Sequence, residues 1–167
     1  MPTPSAGDPG KRIAHEGKHR HYWVSTLANP AAPTVAELSG GFDFSRYVPK
    51  DGAAFEPVEN YIDSHDITEV FDAQQVGSWG EQPTLTMYRQ DPDDDAFDFW
   101  SYGQVGYWVN VWNADADSPK DGDLCTVRYV EVHEPKPLAH APNEKQKFQM
   151  GMANLQAPLY DGVVTAS

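Results

Sequence analysis

Short runs of alternating apolar and polar residues recur along this chain, separated by breaks rich in proline and glycine. Alternation with period two places every second side chain on one face, so each run predicts a half-buried strand. "RHYWVSTLA" (20–28) clusters β-branched and aromatic residues, and "FDFSRYV" (42–48) is a shorter run of the same kind. "PTLTMYRQ" (83–90) alternates Leu85 and Met87 with Thr84, Thr86 and Tyr88. In "QVGYWVNVW" (104–112), Val105, Tyr107, Val109 and Val111 share one face, and Trp108 and Trp112 take the other. "LCTVRYVEVH" (124–133) shows Cys125, Val127 and Tyr129, then slips phase to Val130 and Val132, as at a β-bulge. "KFQMGMANL" (147–155) sets Phe148, Met150 and Met152 against Lys147, Gln149 and Gly151.

The segments between these runs punctuate them. "NPAAP" breaks the chain, and "TVAELSGG" is at most one helical turn, ended by Gly40 and Gly41. "PKDGAAFEP" (49–57) reads as a long turn or exposed loop. Residues 58–76 fit two strands around a bend or a weak helix, and their β-branched content favours strands. "DPDDDAFDFW" (91–100) reads as a helix start, with Asp91 as N-cap and Pro92 at the first helical position. The following aspartates would face the positive end of the helix dipole. Phe97 and Trp100 would share the inner face of a two- to three-turn helix at about 92–101.

The whole predicts a mostly β fold, an antiparallel sandwich or barrel of seven or eight strands with one short flanking helix. At 167 residues it is one domain. Residues 1–19 lack periodicity and read as a mobile arm, 20–160 as the β domain and 161–167 as a short C-terminal tail. The basic start has no apolar run behind it, so it is not a signal peptide, and no stretch approaches the length of a membrane span.

Charge changes the picture. The net value is −13, and residues 50–100 hold thirteen acids against two bases. Residues 1–20 are the reverse, with Lys11, Arg12, Lys18 and Arg20 against two acids. An acidic surface repels a phosphate backbone and cannot grip it by releasing counterions, so DNA binding in the usual sense is excluded.

Catalytic and metal chemistry find no footing. Asp63-Ser64-His65 are adjacent, whereas triad members converge from distant parts of a fold. Cys125 alternates with Val127 on an apolar face and reads as core, and one cysteine excludes a disulfide framework. "NADADSPKDGD" (113–123) has oxygen ligands in the order of a calcium loop. It puts Ser118 where that loop needs glycine and Leu124 where it needs a bidentate glutamate, so a solvated hairpin loop is the better reading. No enzyme, no metal site and no cofactor are expected.

Three stretches, covering about residues 20–164, resemble the major tail (tail tube) proteins of long-tailed actinobacterial phages. They are "YWVSTLANPAAPTVAELSGGFDFSRYV" (22–48), then "ENYIDSHDITEVFDA" with "DPDDDAFDFW" and "GQVGYWVNVW", and finally "EKQKFQMGMANLQAPLYDGVV". The resemblance implies a β-sandwich that assembles as stacked hexameric rings with one continuous inner β-barrel. It implies a virion tail component made in the host cytoplasm, whose partners are itself, the tape measure protein and tail-end proteins. DNA would pass through the channel without specific binding, and no membrane is involved.

On that reading the acid excess becomes a non-adhesive channel lining, to which Glu59, Asp63, Asp66, Glu69 and Asp72 would contribute. Lys11, Arg12, Lys18 and Arg20 would meet acidic patches on the next ring, and Trp108 and Trp112 would be covered by a neighbouring subunit or by the helix. The rival reading is a carbohydrate- or calcium-binding β-sandwich, with the same two tryptophans as a sugar platform.

Overall fold

The computed structural model describes residues 17–63, 74–112 and 119–166. Among these residues, nine strands and two short helices follow one another. They are β1 (Arg20–Val24), α1 (Val35–Gly40), β2 (Phe42–Asp43), β3 (Ala53–Asp63), β4 (Gln74–Tyr88) and α2 (Asp95–Asp98). β5 (Val105–Val111), β6 (Leu124–Val132), β7 (Lys136–Pro137), β8 (Lys147–Asn154) and β9 (Leu159–Val163) complete the chain. The order across the antiparallel sheet is β2-β1-β5-β6-β8-β4-β3, with β9 beside β6 and β7 beside β8. The mostly β, antiparallel class expected from the alternating runs is the one found.

The sheet folds over along β8. Residues 147–151 pair with β4, while Met152, Ala153 and Asn154 pair with β6. Its two halves therefore face each other across one core, with Trp23, Trp108, Val130 and Val132 opposite Leu85, Met87, Phe148 and Met150. Phe44 and Trp100 plug that core from the loops, in edge contact at 5.5 Å between ring centres. A second core lies on the other face of β1, β5 and β6. There Tyr22, Val24, Val109, Val111, Cys125 and Val127 bury against Leu38 of α1 and against Val164. Each large side chain taken fully out of water in these cores contributes roughly 1.5–3 kcal/mol.

β5 and β6 thus bury both faces, and this corrects two expectations. The face of β5 opposite Tyr107, Val109 and Val111 is not open, because Trp108 is 0 % exposed. The phase slip in β6 is not a bulge against β5, since the register runs unbroken from Val105↔Glu131 to Val111↔Cys125. Cys125 and Val127 serve the second core, while Val130 and Val132 serve the first.

The helices are short for visible reasons. Thr34 caps α1 in a reciprocal box, its hydroxyl accepting from the Glu37 N–H at 3.2 Å while Glu37 accepts from the Thr34 N–H at 2.8 Å. α2 is a single turn, and its cap is Asp94 rather than Asp91. The Asp94 carboxylate accepts from the Phe97 N–H and pairs with Arg89, whose guanidinium lies 3.8 Å above the Phe97 ring. Asp91 and Pro92 form a bend ahead of it.

Residues 42–48 are only partly strand. The Asp43 carboxylate accepts from the Ser45 N–H at 3.0 Å, turning the chain into a 3-10 segment at Ser45–Tyr47. Conversely, 53–57 is not loop but the start of β3, held by pairing to Pro83, Thr84 and Leu85 despite two alanines and a proline. Of residues 161–167, expected as a tail, 161–163 complete β9, and Val164 packs beyond it with its N–H bonded to the Asp123 carbonyl at 2.8 Å.

Candidate functional site

β3 and β4 run on past the core as a two-stranded arm. On the core-facing side of the pair, Ala53, Phe55, Pro57 and Glu59 oppose Leu85, Pro83, Glu81 and Trp79. Leu85 and Pro83 are buried and Glu81 is half-buried, but beyond Glu81 the strand has no core beneath it among the described residues. The same face continues with Tyr61 opposite Val76, so an apolar surface runs off the end of the sandwich. Val76 is 81 % exposed, Trp79 60 % and Tyr61 57 %. On the reverse face Val58 and Ile62 are exposed as well. A two-stranded ribbon wet on both faces is marginal alone in water, so its apolar side chains await a partner surface.

Local chemistry shapes the arm. Its register shifts between Glu59 and Tyr61, at the level of Gly77. A side chain at Gly77 would meet the Asn60 carbonyl oxygen at 2.7 Å, so only glycine fits this close approach. The Tyr61 hydroxyl donates to Glu59 at 2.7 Å, and that hydrogen bond raises the phenol pKa. Asn60 donates to Ser78 across the strands at 3.0 Å.

The arm's root is a polar node inside the fold. Glu81 on β4 accepts from Arg128 on β6 through both Nε, at 2.5 Å, and Nη2, at 3.1 Å. The Tyr160 hydroxyl of β9 donates to the same carboxylate at 3.1 Å, and Asn154 of β8 donates to the Glu81 carbonyl at 3.2 Å. The guanidinium lies 3.6 Å over the Phe55 ring. Burial alone would raise the Glu81 pKa, but the hydrogen bonds and charge of Arg128, with Tyr160 and Asn154, hold it below the usual range. Burial, then the Glu81 charge, raises the Tyr160 phenol.

Of the acids expected to line a channel, Glu59 and Asp63 sit exposed on the arm, while Asp66, Glu69 and Asp72 lie outside the described residues. Lys11 and Arg12 also lie outside them. Lys18 and Arg20 lead into β1, where Arg20 reaches Asp43 at 3.8 Å. Trp108 cannot be a subunit contact or part of a sugar platform. It is buried in the first core, and its indole N–H donates to His21 Nδ1 at 3.1 Å. Trp112 is half-buried, donating to Thr126 Oγ1 at 2.9 Å and meeting the His19 ring edge-on at 4.9 Å. It borders a recess of about 620 Å³ lined also by His21, Val48, Ala53, Phe55 and Asn110.

Among the described residues, no group of three or more His, Cys, Asp or Glu is placed to hold a metal. In the acidic loop, residues 113–118 lie outside the description. Asp121 accepts from the Ala166 N–H at 3.1 Å and Asp123 from the Lys120 N–H at 2.9 Å, so both brace the chain itself. Cys125 is buried, which pushes its thiol up to about 11. No helix among the described residues is long and apolar enough to cross a membrane.

Sequence reasoning missed the arm's apolar face and its root. A lone arginine inside the apolar run "LCTVRYVEV" was the available signal for the root. An arginine on a strand buried on both faces needs a carboxylate partner.

A family model described as "Phage tail tube protein" matches residues 8–167. No curated protein matches the sequence. Among solved structures, a chain of the anti-feeding prophage (AFP) baseplate, 6-fold symmetrised, superposes with a TM-score of 0.57 at 8 % identity. That superposition covers 95 % of this chain and 99 % of the other. The SPP1 tail tube superposes with a TM-score of 0.56 at 12 % identity, over 91 % of this chain and 81 % of that one.

Proposed function

Since the chain belongs to the phage tail tube protein family, a family of structural virion proteins and not of enzymes, we propose that it is the repeating subunit of a tail tube whose copies close into hexameric rings. Rings stack, and the channel conducts phage DNA during infection. The observation that carries this reading is the β3–β4 arm. It is acidic, apolar on both faces and bounded by an edge strand whose outer backbone groups are left for another chain to pair. A heterologous contact of arm on neighbour, repeated around an axis, closes a ring. The 6-fold symmetrised anti-feeding prophage baseplate supports six copies per ring here, and the SPP1 tail tube supports a tube.

Within such a ring, Glu59 and Asp63, with Asp66, Glu69 and Asp72, line the channel and repel DNA phosphates at close range. Residues 1–19, with Lys11, Arg12, Lys18 and Arg20, connect stacked rings by meeting acidic surface on the next one. Trp112 belongs to the same contact region. The tape measure protein fills the channel before ejection.

Negative-stain electron microscopy across a concentration series, with a chelator in one arm, tests this. Hollow rings or tubes of uniform width, indifferent to chelation, are expected. Compact single particles at every concentration, including after addition of preformed tube ends, would overturn the tube reading.

A further inference from the structure

The arm has a mechanical problem. Its eight outer residues of β3, at about 3.3 Å each, carry the tip roughly 25 Å beyond the core. A tilt of about 10° at the root would move that tip by about 4 Å, enough to lose register with any partner. Among the described residues the outer faces of the arm are exposed and nothing packs on them to hold its angle. Its direction must therefore be set where it leaves the sandwich.

Glu81 stands at that point. Inward of it, Pro83 and Leu85 are buried, and outward Trp79 and Val76 are exposed. The pairing of β4 with β8 begins only at Thr84, so at Glu81 strand β4 has parted from β8. Arg128 is placed symmetrically on β6, beyond Val130, where its pairing with β8 has also ended. The two strands have splayed into opposite halves of the folded sheet, and the two-point ion pair spans the gap. The flat guanidinium is fixed from below by the Phe55 ring and the carboxylate from the side by Tyr160. Five strands meet here: β3, β4, β6, β8 and β9. A bidentate pair locked by stacking constrains direction as well as distance.

We propose that Glu81 and Arg128 are positioning residues: a strut between the two halves of the sheet that fixes the angle of the β3–β4 arm for assembly. The strut itself is a property of the single chain, and only its use in assembly rests on the tube reading above.

The key variant replaces both members with apolar residues of similar length, Glu81→Met with Arg128→Met. Removing a buried pair together is often neutral or stabilising, whereas removing one member strands a charge. Spin labels at Gln75→Cys on the arm and Glu131→Cys on the exposed side of β6 report arm direction through their distance distribution. Cys125 is buried and stays unlabelled in the native fold. With the strut intact, one narrow distance peak is expected. In the double-methionine variant the peak should broaden while the denaturation midpoint is kept and the concentration needed for tubes rises.

An unchanged distance peak would overturn the proposal. So would broadening accompanied by loss of core stability, which would make the pair a fold stabiliser only. Arg128→Lys adds a second check. It keeps the charge but loses the fork and the stack, so it should broaden the peak too; full rescue by lysine would reduce the strut to a simple charge tether. Broadening without tubes from the unmodified protein would leave the strut standing and remove the tube reading.

Discussion

His21 ties the fold's stability to pH in a way that can be calculated before it is measured. Its ring is buried in the first core, stacked 5.7 Å from Phe44, and its Nδ1 accepts the Trp108 indole N–H. Protonation would cancel that acceptor and place a charge among aromatics. Burial is the main cause that lowers its pKa from 6.5 to about 4; the His19 charge lowers it further, Asp43 pulls it back up, and Arg128 adds a smaller lowering. The sign follows directly. The unfolded chain takes up the proton near pH 6.5 and the folded chain only near pH 4, so acid favours the unfolded state between those values. At about 1.4 kcal/mol per pH unit the full difference is about 3 kcal/mol, of which about 2 kcal/mol is gone near pH 5.

The perturbation is His21→Gln, which offers Trp108 an acceptor and does not titrate. Urea unfolding of both proteins, followed by tryptophan fluorescence from pH 7 down to pH 5, isolates this residue from every other ionisable group, because the variant keeps all of them. The unmodified protein should lose about 2 kcal/mol more than the variant across that interval. Parallel pH profiles would refute the reasoning and mean that the buried ring finds a compensating partner for its charge.

Three further outcomes follow from the packing. Asp94→Ala should cost about 1–2 kcal/mol in a urea titration, because it removes the α2 cap and the Arg89 partner together, whereas Asp91→Ala should stay within about 0.5 kcal/mol. Gly106→Ala should destabilise by about 1–3 kcal/mol by calorimetry, since its new methyl would meet the Trp23 ring at 2.5 Å. Cys125 should react with a thiol reagent at pH 7 only as fast as the chain opens. Its labelling rate should therefore rise with urea; immediate labelling in buffer would contradict its burial and raised pKa.

The strands with clean alternation were legible: 104–112, 124–133 and 147–155 contain β5, β6 and β8, and 83–90 holds the C-terminal end of β4, which begins at Gln74. So was the single turn at 35–40, whose threonine and glutamate are local signals. What pattern alone could not show was whether the second face of a strand is covered. Trp108 reads as outward because period two sorts residues into two sets without saying that both are buried. Asp91 reads as a cap because proline follows it, but the choice of Asp94 depends on Arg89 arriving from β4. The arm's acids were visible as a charge run. Its exposed Tyr61, Val76 and Trp79 follow from the β3–β4 register, and its Glu81–Arg128 root joins residues 47 apart. Of that long-range geometry the sequence carries only one trace, the lone arginine in the apolar run of β6.

The fold-over along β8 has one more consequence. A sandwich made of two separate sheets can in principle lose one and keep the other as a partly ordered intermediate. Here Phe148 and Met150 lie on residues bonded to one half, and Met152 on a residue bonded to the other, all within one eight-residue strand. Neither half can fray past β8 without unzipping the strand that completes its neighbour. The two halves of the sandwich therefore melt together in one step, whatever the arm beyond them does.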